Sequence, residues 1–195
     1  MTGATAGIGR AVAVRLAENG AEVMVHGRDA QRGAELLSAI AERGGRARFV
    51  APDLSAAGDV ERLAAEAGDV DILVNNAGVH EFTSTPGTSA DSFDRRLAIN
   101  TRAPFQLVGA LVPGMVKRGH SAIVNISSTA ATSVAPVGAA YGASKAALET
   151  LTRYWATEFG RAGVRVNGVA SGPVRTPGTA PLLAAYVRES GSARR

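Results

Sequence analysis

Apolar runs of strand length alternate along this chain with longer stretches in which apolar residues recur at helical spacing. Several predicted helices have recognisable ends: Gly20 stops the first, Asp29 can cap the second, and Gly44 follows it. Ser55 can cap the third. The pattern predicts helices over residues 7–19, 29–43, 55–67, 91–118, 139–161 and 181–189, and strands over residues 22–26, 48–51, 71–75, 122–127 and 164–170.

Strands that alternate with helices predict βα units, right-handed crossovers and a parallel sheet. The strand over residues 71–75, with the sequence DILVN, is expected to be buried on both faces. Kinks are expected in the helix over residues 91–118, because Pro104 and Pro113 lie inside it. Residues 1–195 are therefore predicted to form one doubly wound α/β domain whose ligands bind beyond the carboxyl ends of the strands.

Composition and charge narrow the classes of function. The chain has no cysteine, which excludes disulfides and thiolate metal sites, and its three histidines are scattered, so no metal site is expected. We assign no role to His80 or His120. The 21 lysines and arginines, which leave a net charge of +4, form no block or aromatic-lined stripe, so nucleic-acid binding is not predicted. Without a signal peptide or a membrane-length apolar run, a cytoplasmic protein with no membrane partner is expected.

A glycine-rich segment, TGATAGIG from Thr2 to Gly9, leads into the first predicted helix. Glycines let the backbone approach a pyrophosphate, and a helix N-terminus offers free N–H groups and a favourable dipole. A glycine-rich turn without a ligand is the alternative interpretation, since short glycine patterns are common.

Tyr141 and Lys145 are four residues apart in YGASK, which places both side chains on one face of a helix. Tyrosine, with an ordinary pKa near 10, is a poor base at neutral pH, and a nearby ammonium is expected to lower that pKa. Ser128 follows a predicted strand and can hydrogen-bond a substrate oxygen; Ser127 is the neighbouring candidate. Each of these residues also has a purely structural interpretation. Tyr141 and Lys145 could lie on a solvated helix face, the two serines could form a turn, and Asn100 could be a buried hydrogen-bonding residue.

These motifs together resemble the short-chain dehydrogenase/reductase family, from Thr2 to about Thr176, and most closely its 3-oxoacyl-carrier-protein reductase type. The resemblance implies a Rossmann-type fold that binds a nicotinamide cofactor, and hydride transfer between the cofactor and a carbonyl or secondary alcohol. It implies catalytic roles for Ser128, Tyr141, Lys145 and Asn100, with Asn100 positioning Lys145 through a water. It implies cofactor contacts from Gly3, Thr5, Gly7, Ile8, Gly9, Arg28, Asp53, Leu54, Asn76, Ala77, Gly78, Tyr141, Lys145, Gly172, Val174 and Thr176.

The position that follows the second strand of the family fold bears on cofactor preference. NAD-binding members usually have an acidic residue there, which accepts hydrogen bonds from the ribose 2′-hydroxyl. Here that position is Gly27, and Arg28 follows it. An arginine can hold a 2′-phosphate through two hydrogen bonds, and His26 could assist. NADP(H) is therefore favoured over NAD(H), although Arg28 could also be an ordinary solvated loop residue.

The sequence departs from the family pattern at both ends. Members have an apolar strand before the glycine loop, whereas here Met1 directly precedes Thr2. They also continue through a substrate-covering helix, a further helix and a last strand. The first and last strands are thus predicted to be missing, which would leave two strand edges in the sheet unpaired or force them together. The alternative function is a truncated or non-catalytic relative that acts as an interaction module; an active chain is expected to form a homo-oligomer.

Overall fold

The computed structural model describes residues 1–81, 83–134, 138–176 and 179. Parallel strands alternate with helices, as predicted. The strands are β1 Glu22–His26, β2 Arg46–Val50, β3 Ile72–Asn75, β4 Ala122–Ser128 and β5 Arg165–Ser171. The helices are α1 Gly7–Glu18, α2 Ala30–Ala41, α3 Ala57–Ala67, α4 Ala90–Leu97, α5 Ala103–Arg118 and α6 Ala139–Phe159, with a π-helical segment at Ala98–Arg102 and 3₁₀ turns at Thr129–Ala131 and Gly160–Ala162. The helix predicted over residues 181–189 lies outside the described residues.

The first four residues of the chain join the two parts of the sheet. β1 pairs with β2, and β4 pairs with β3 on one side and β5 on the other, all in parallel. The Thr2 N–H donates to the Val74 carbonyl at 3.0 Å, and the Ala4 N–H donates to the His26 carbonyl at 2.7 Å. The carboxyl ends of β1 and β3 therefore both have a hydrogen-bonding neighbour, contrary to the expectation of unpaired edges there.

Local hydrogen bonds explain where α2 and α3 begin. Asp29 caps α2 as predicted, since its carboxylate accepts from the Arg32 N–H at 3.1 Å. The prediction that Ser55 caps α3 is wrong, because the N-cap is Ala56, which has no side-chain hydrogen bond. The Ser55 N–H instead donates to the Asp53 carboxylate at 2.9 Å, and the Asp53 N–H donates to Asp59 in the first turn of the helix.

The helix predicted over residues 91–118 is interrupted before its first proline. α4 and α5 are separated by the π-helical segment Ala98–Arg102, in which the Ala103 N–H donates to the carbonyl of Ala98, five residues back. Pro104 has no N–H to donate to the Asn100 carbonyl four residues earlier, so a regular α-helical ladder cannot continue there. The interruption places Asn100 at the irregular point of the helix.

Two apolar cores lie on opposite faces of the sheet. One forms around α3, α5 and α6, and the other lies between α1, α2 and β1. β3 is not buried along its whole length as predicted, because Ile72 at its start is 47% exposed. The first four residues reach only the other end of β3, at Val74. Within the described residues, no helix combines the length and the apolar character needed to cross a membrane.

Candidate functional site

The glycine loop and the end of β3 form one hydrogen-bonded unit. The Thr2 hydroxyl accepts from the N–H groups of Asn76 and Ala77, both at 3.0 Å. The Asn76 amide donates back to the carbonyls of Thr2 and Gly3, at 3.0 and 2.8 Å. Because the Asn76 side chain is bonded to the glycine loop, it supports the shape of the predicted cofactor site.

Glycine is required in this loop by close backbone approach. Gly3 and Gly7 have φ of +61° and +54°, in the left-handed region that disfavours other residues. A Cβ at Gly9 would lie 2.1 Å from the Gly3 carbonyl oxygen. The first turn of α1 contains no acidic residue, and its N-cap, Ala6, makes no side-chain hydrogen bond. The helix therefore presents its N–H groups at the loop, as a bound anion would require.

A cleft of about 330 Å³ opens beside this loop, at the carboxyl ends of β3, β4 and β5. Its volume lies at the lower end of the range of small-molecule sites, about 300–1,000 Å³. Thirteen of the residues predicted from sequence line it: Gly3, Gly7, Ile8, Gly9, Asn76, Ala77, Gly78, Ser128, Tyr141, Lys145, Gly172, Val174 and Thr176. The side chain of Thr176 lies close to Gly7.

Ser128 and Tyr141 line the same cleft, and the interaction of the Ser128 side chain with Tyr141 acts to lower the pKa of the tyrosine. They come from different elements, the end of β4 and the first turn of α6. Ser127 is engaged elsewhere, since its hydroxyl donates to the Glu149 carboxylate at 2.8 Å. Of the two neighbouring serines, Ser128 is thus the better candidate for a hydroxyl that acts together with Tyr141.

Burial dominates the electrostatics of the Tyr141–Lys145 pair. Burial raises the pKa of Tyr141 above its usual value of 10, and the interaction with the Ser128 side chain opposes that change in part. The predicted net lowering of the Tyr141 pKa is therefore wrong, because burial is the largest effect on it. The Lys145 side chain is itself buried, and its Nζ donates to the Ile126 carbonyl at 2.8 Å. Burial lowers the pKa of Lys145 to about 8.

Asn100 is fully buried and lines neither of the clefts described for the site. Its amide donates to the Val79 carbonyl and to the Ser144 hydroxyl, both at 3.0 Å, and its oxygen accepts from the Val79 N–H at 2.9 Å. A Cβ at Gly78 would lie 3.3 Å from Lys145 Nζ and 3.5 Å from Asn100 Oδ1. Asn100 therefore ties the loop after β3 to α6, immediately beside Lys145.

A second cleft of about 240 Å³ lies on the other side of the glycine loop. Seven residues predicted from sequence line it: Gly3, Ala77 and Gly78, which also line the first cleft, and Thr5, Arg28, Asp53 and Leu54. Hydrogen bonds from Ser55 lower the pKa of Asp53, and the Arg28 charge adds to the effect, so this carboxyl is ionised at neutral pH. Arg32 also lines the cleft and was missed in the sequence, where its place on a helix surface gave no signal.

His26 cannot assist Arg28 as the sequence suggested. It is buried, its Nδ1 accepts from the Gly3 N–H at 3.2 Å, and its Nε2 bonds the Pro52 carbonyl at 2.9 Å. Both ring nitrogens are used to support the loop. Gly27 has no room for a side chain, because a Cβ there would lie 2.3 Å from the Thr5 methyl group.

Comparison with known proteins gives consistent matches. A family model described as short chain dehydrogenase matches residues 1–186. An uncharacterized oxidoreductase of Thermotoga maritima is 38% identical over 182 residues, which are 91% of this chain and 72% of that protein. Human dehydrogenase/reductase SDR family member 4 is 38% identical over 181 residues, which are 90% of this chain and 65% of that protein.

Solved structures match over a similar extent. The 3-oxoacyl (acyl-carrier-protein) reductase of Agrobacterium tumefaciens, with NADP bound, superposes with a TM-score of 0.90 and 32% identity, over 96% of this chain and 74% of that one. Other similar structures also contain NADP or NADPH. The family-model match over residues 1–186 includes the glycine loop, both clefts and the Tyr141–Lys145 helix.

Proposed function

We propose that this chain, which belongs to the short-chain dehydrogenase family, is an oxidoreductase that transfers a hydride between NADP(H) and a carbonyl or secondary-alcohol substrate. The observation that carries the proposal is that Ser128, Tyr141 and buried Lys145 line one cleft, which begins at the glycine loop. The substrate is a small molecule, and its identity is not part of the proposal.

The residues present fit a nicotinamide dinucleotide. The N-terminus of α1 and the close backbone of Gly3, Gly7 and Gly9 suit the pyrophosphate. Val174 and Thr176 line the cleft where the nicotinamide would lie, and Lys145 would hold the adjacent ribose hydroxyls. When bound, the nicotinamide donates or accepts the hydride at the reacting carbon of the substrate.

Tyr141 and Ser128 would act on the substrate oxygen. Because burial raises the Tyr141 pKa, its hydroxyl is protonated at neutral pH and can donate that proton to a carbonyl oxygen during reduction. Ser128 would hydrogen-bond the same oxygen and stabilise its developing negative charge. The Lys145 ammonium would stabilise the Tyr141 phenolate that remains after proton transfer. In the oxidising direction, the phenolate takes the proton back from the alcohol.

The second cleft favours NADP(H) over NAD(H). Arg28 and Arg32 both line it, and arginine pairs well with a phosphate. Arg32 also forms an ion pair with Asp29 at 3.3 Å, so Arg28 is the better candidate for the main phosphate contact. The Thr5 methyl group fills the space beside Gly27 and leaves no room for the acidic side chain that would accept from a ribose 2′-hydroxyl.

The proposal is tested by titrating the purified wild-type chain and its Tyr141→Phe variant with NADPH and with NADH. Binding is followed by cofactor fluorescence. Saturable binding that is tighter for NADPH is expected. Tyr141→Phe should retain that binding and lose turnover of carbonyl probes, because it lacks only the hydroxyl. Turnover that survives in Tyr141→Phe would refute the proposed proton donor, and no binding of either cofactor would favour the non-catalytic alternative.

A further inference from the structure

His80 lies in the cleft beside Tyr141, although its position in the sequence indicated no role. Its ring meets the Tyr141 ring edge to face, with the ring centroids 6.4 Å apart and the planes at 75°. Both side chains line the cleft that contains Ser128 and Lys145. An imidazole is therefore present beside the Tyr141 ring, in the cleft proposed to hold the substrate.

The residues on both sides of His80 are held in place. Val79 exchanges two backbone hydrogen bonds with the buried Asn100 amide, at 2.9 and 3.0 Å. Glu81 is held by Arg96 of α4, whose Nη2 donates to the Glu81 carboxylate at 2.9 Å and to its carbonyl at 3.3 Å. The backbone at His80 is thus fixed from both directions.

Arg96 is an unusual anchor for such a loop, because its side chain is only 2% exposed. A buried guanidinium is costly unless it is paired, and Arg96 also donates to the Thr83 hydroxyl at 3.1 Å. The Ser92 hydroxyl donates to the same Glu81 carboxylate at 2.5 Å. A Cβ at Gly138, just before α6, would lie 2.7 Å from the Thr83 carbonyl oxygen, so the loop also abuts the start of the Tyr141 helix.

We propose that His80 determines substrate specificity by hydrogen-bonding a second oxygen of the substrate, an inference that rests on the proposed function. Arg96 is the positioning residue for the loop that carries His80. Burial, and to a smaller extent the Lys145 charge, lower the pKa of His80, which keeps the ring neutral at pH 7. A neutral imidazole has one donor and one acceptor nitrogen, so it can bind a hydroxyl or a carbonyl. The favoured substrates are carbonyl compounds that carry a second oxygen on a neighbouring carbon.

The probes are acetoin, which carries a hydroxyl beside its carbonyl, and 2-butanone, which does not. The wild-type chain should reduce acetoin with the higher kcat/KM when NADPH is the cofactor. His80→Phe keeps the ring and its contact with Tyr141 but removes both hydrogen-bonding nitrogens. It should lower the ratio of kcat/KM for acetoin to that for 2-butanone about tenfold, as expected for one lost hydrogen bond. His80→Gln should restore part of the ratio, and His120→Phe, at an exposed histidine, is the matched control.

The role of Arg96 needs a readout that general destabilisation would not move. The two test variants are Arg96→Lys and Glu81→Gln, both milder than removal of Arg96. In each, the ratio of kcat/KM for acetoin to that for 2-butanone should fall because the KM for acetoin rises. The His80 ring signals should also shift in NMR spectra, which are simple because the chain has three histidines. If both ketones are turned over and the ratio of their kcat/KM values is unchanged in His80→Phe, this inference is overturned while the proposed function stands. NADPH binding without turnover of either ketone would overturn the proposed function with it.

Discussion

Replacing Lys145 by Met is expected to stabilise the cofactor-free chain while it destroys the site. Lys145 is buried, and burial lowers its pKa from 10.5 to about 8. At pH 7 that shift corresponds to about 3 kcal/mol of unfolding free energy lost to keeping the ammonium buried. Methionine fills a similar volume without a charge but loses the hydrogen bond to the Ile126 carbonyl, worth about 1 kcal/mol. The expected net gain is about 2 kcal/mol.

The sign of the pH dependence follows from the direction of the shift. Between about pH 8 and 10.5 the unfolded chain binds a proton at Lys145 that the folded chain has released, so wild-type stability rises with pH across that window. Below pH 8 both states are protonated and the full penalty applies. The advantage of Lys145→Met should therefore be largest at pH 7 and should shrink towards pH 10.5.

Urea unfolding at pH 7 and at pH 10 measures both effects through Trp155, the only tryptophan, which is buried. Groups that titrate in both proteins contribute equally to both free energies of unfolding, so their contributions cancel in the difference between variant and wild type. Lys117→Met is the matched control, since Lys117 is exposed and its replacement should change stability by no more than about 0.5 kcal/mol. A Lys145→Met chain that is no more stable than wild type at pH 7, or whose advantage does not decrease with pH, would refute the argument.

Three other substitutions test other parts of the structure. Arg28→Ala should weaken NADPH binding at least tenfold more than NADH binding, as measured by fluorescence titration; equal weakening would contradict the 2′-phosphate assignment. Gly9→Ala should abolish binding of both cofactors, because its Cβ would lie 2.1 Å from the Gly3 carbonyl oxygen; unchanged binding would show that the loop can relax. Thr152→Val should cost about 1–3 kcal/mol in urea unfolding, because it leaves the buried Asn125 amide without its 2.8 Å acceptor; a neutral result would mean that another acceptor replaces the hydroxyl.

Local signals in the sequence were sufficient to predict most of the fold. β1 has the predicted bounds because its valines lie between a glycine turn and the Asp29 cap, whose side chain stabilises the start of α2. Strand and helix lengths then required parallel pairing, since the intervening helices are too long for hairpins. The motif residues fell at one edge of the sheet for the same reason, because the carboxyl ends of parallel strands meet there.

The features that the sequence did not predict depend on contacts between distant residues. Arg96 is a basic residue on an amphipathic helix, for which solvent exposure is the usual expectation, yet Glu81 and Thr83 bury it. The hydrogen bonds of Asn100 in the π-helical segment to Val79 also join residues 21 positions apart, which no local pattern predicts. The raised pKa of Tyr141 likewise reflects burial, whereas sequence reasoning considered only the charge four residues away.

Gly78 is the point at which the two halves of the site meet. On one side, Thr2 and Asn76 join the glycine loop to the end of β3, so the cofactor-binding half depends on bonds made before Gly78. On the other side, Asn100 joins Val79 to α6, which carries Tyr141 and Lys145. Asn100 Oδ1 and Lys145 Nζ both approach the position that a Cβ at Gly78 would take. A side chain there would require Lys145 Nζ to move by a few tenths of an ångström, at the point where the two halves of the proposed site meet.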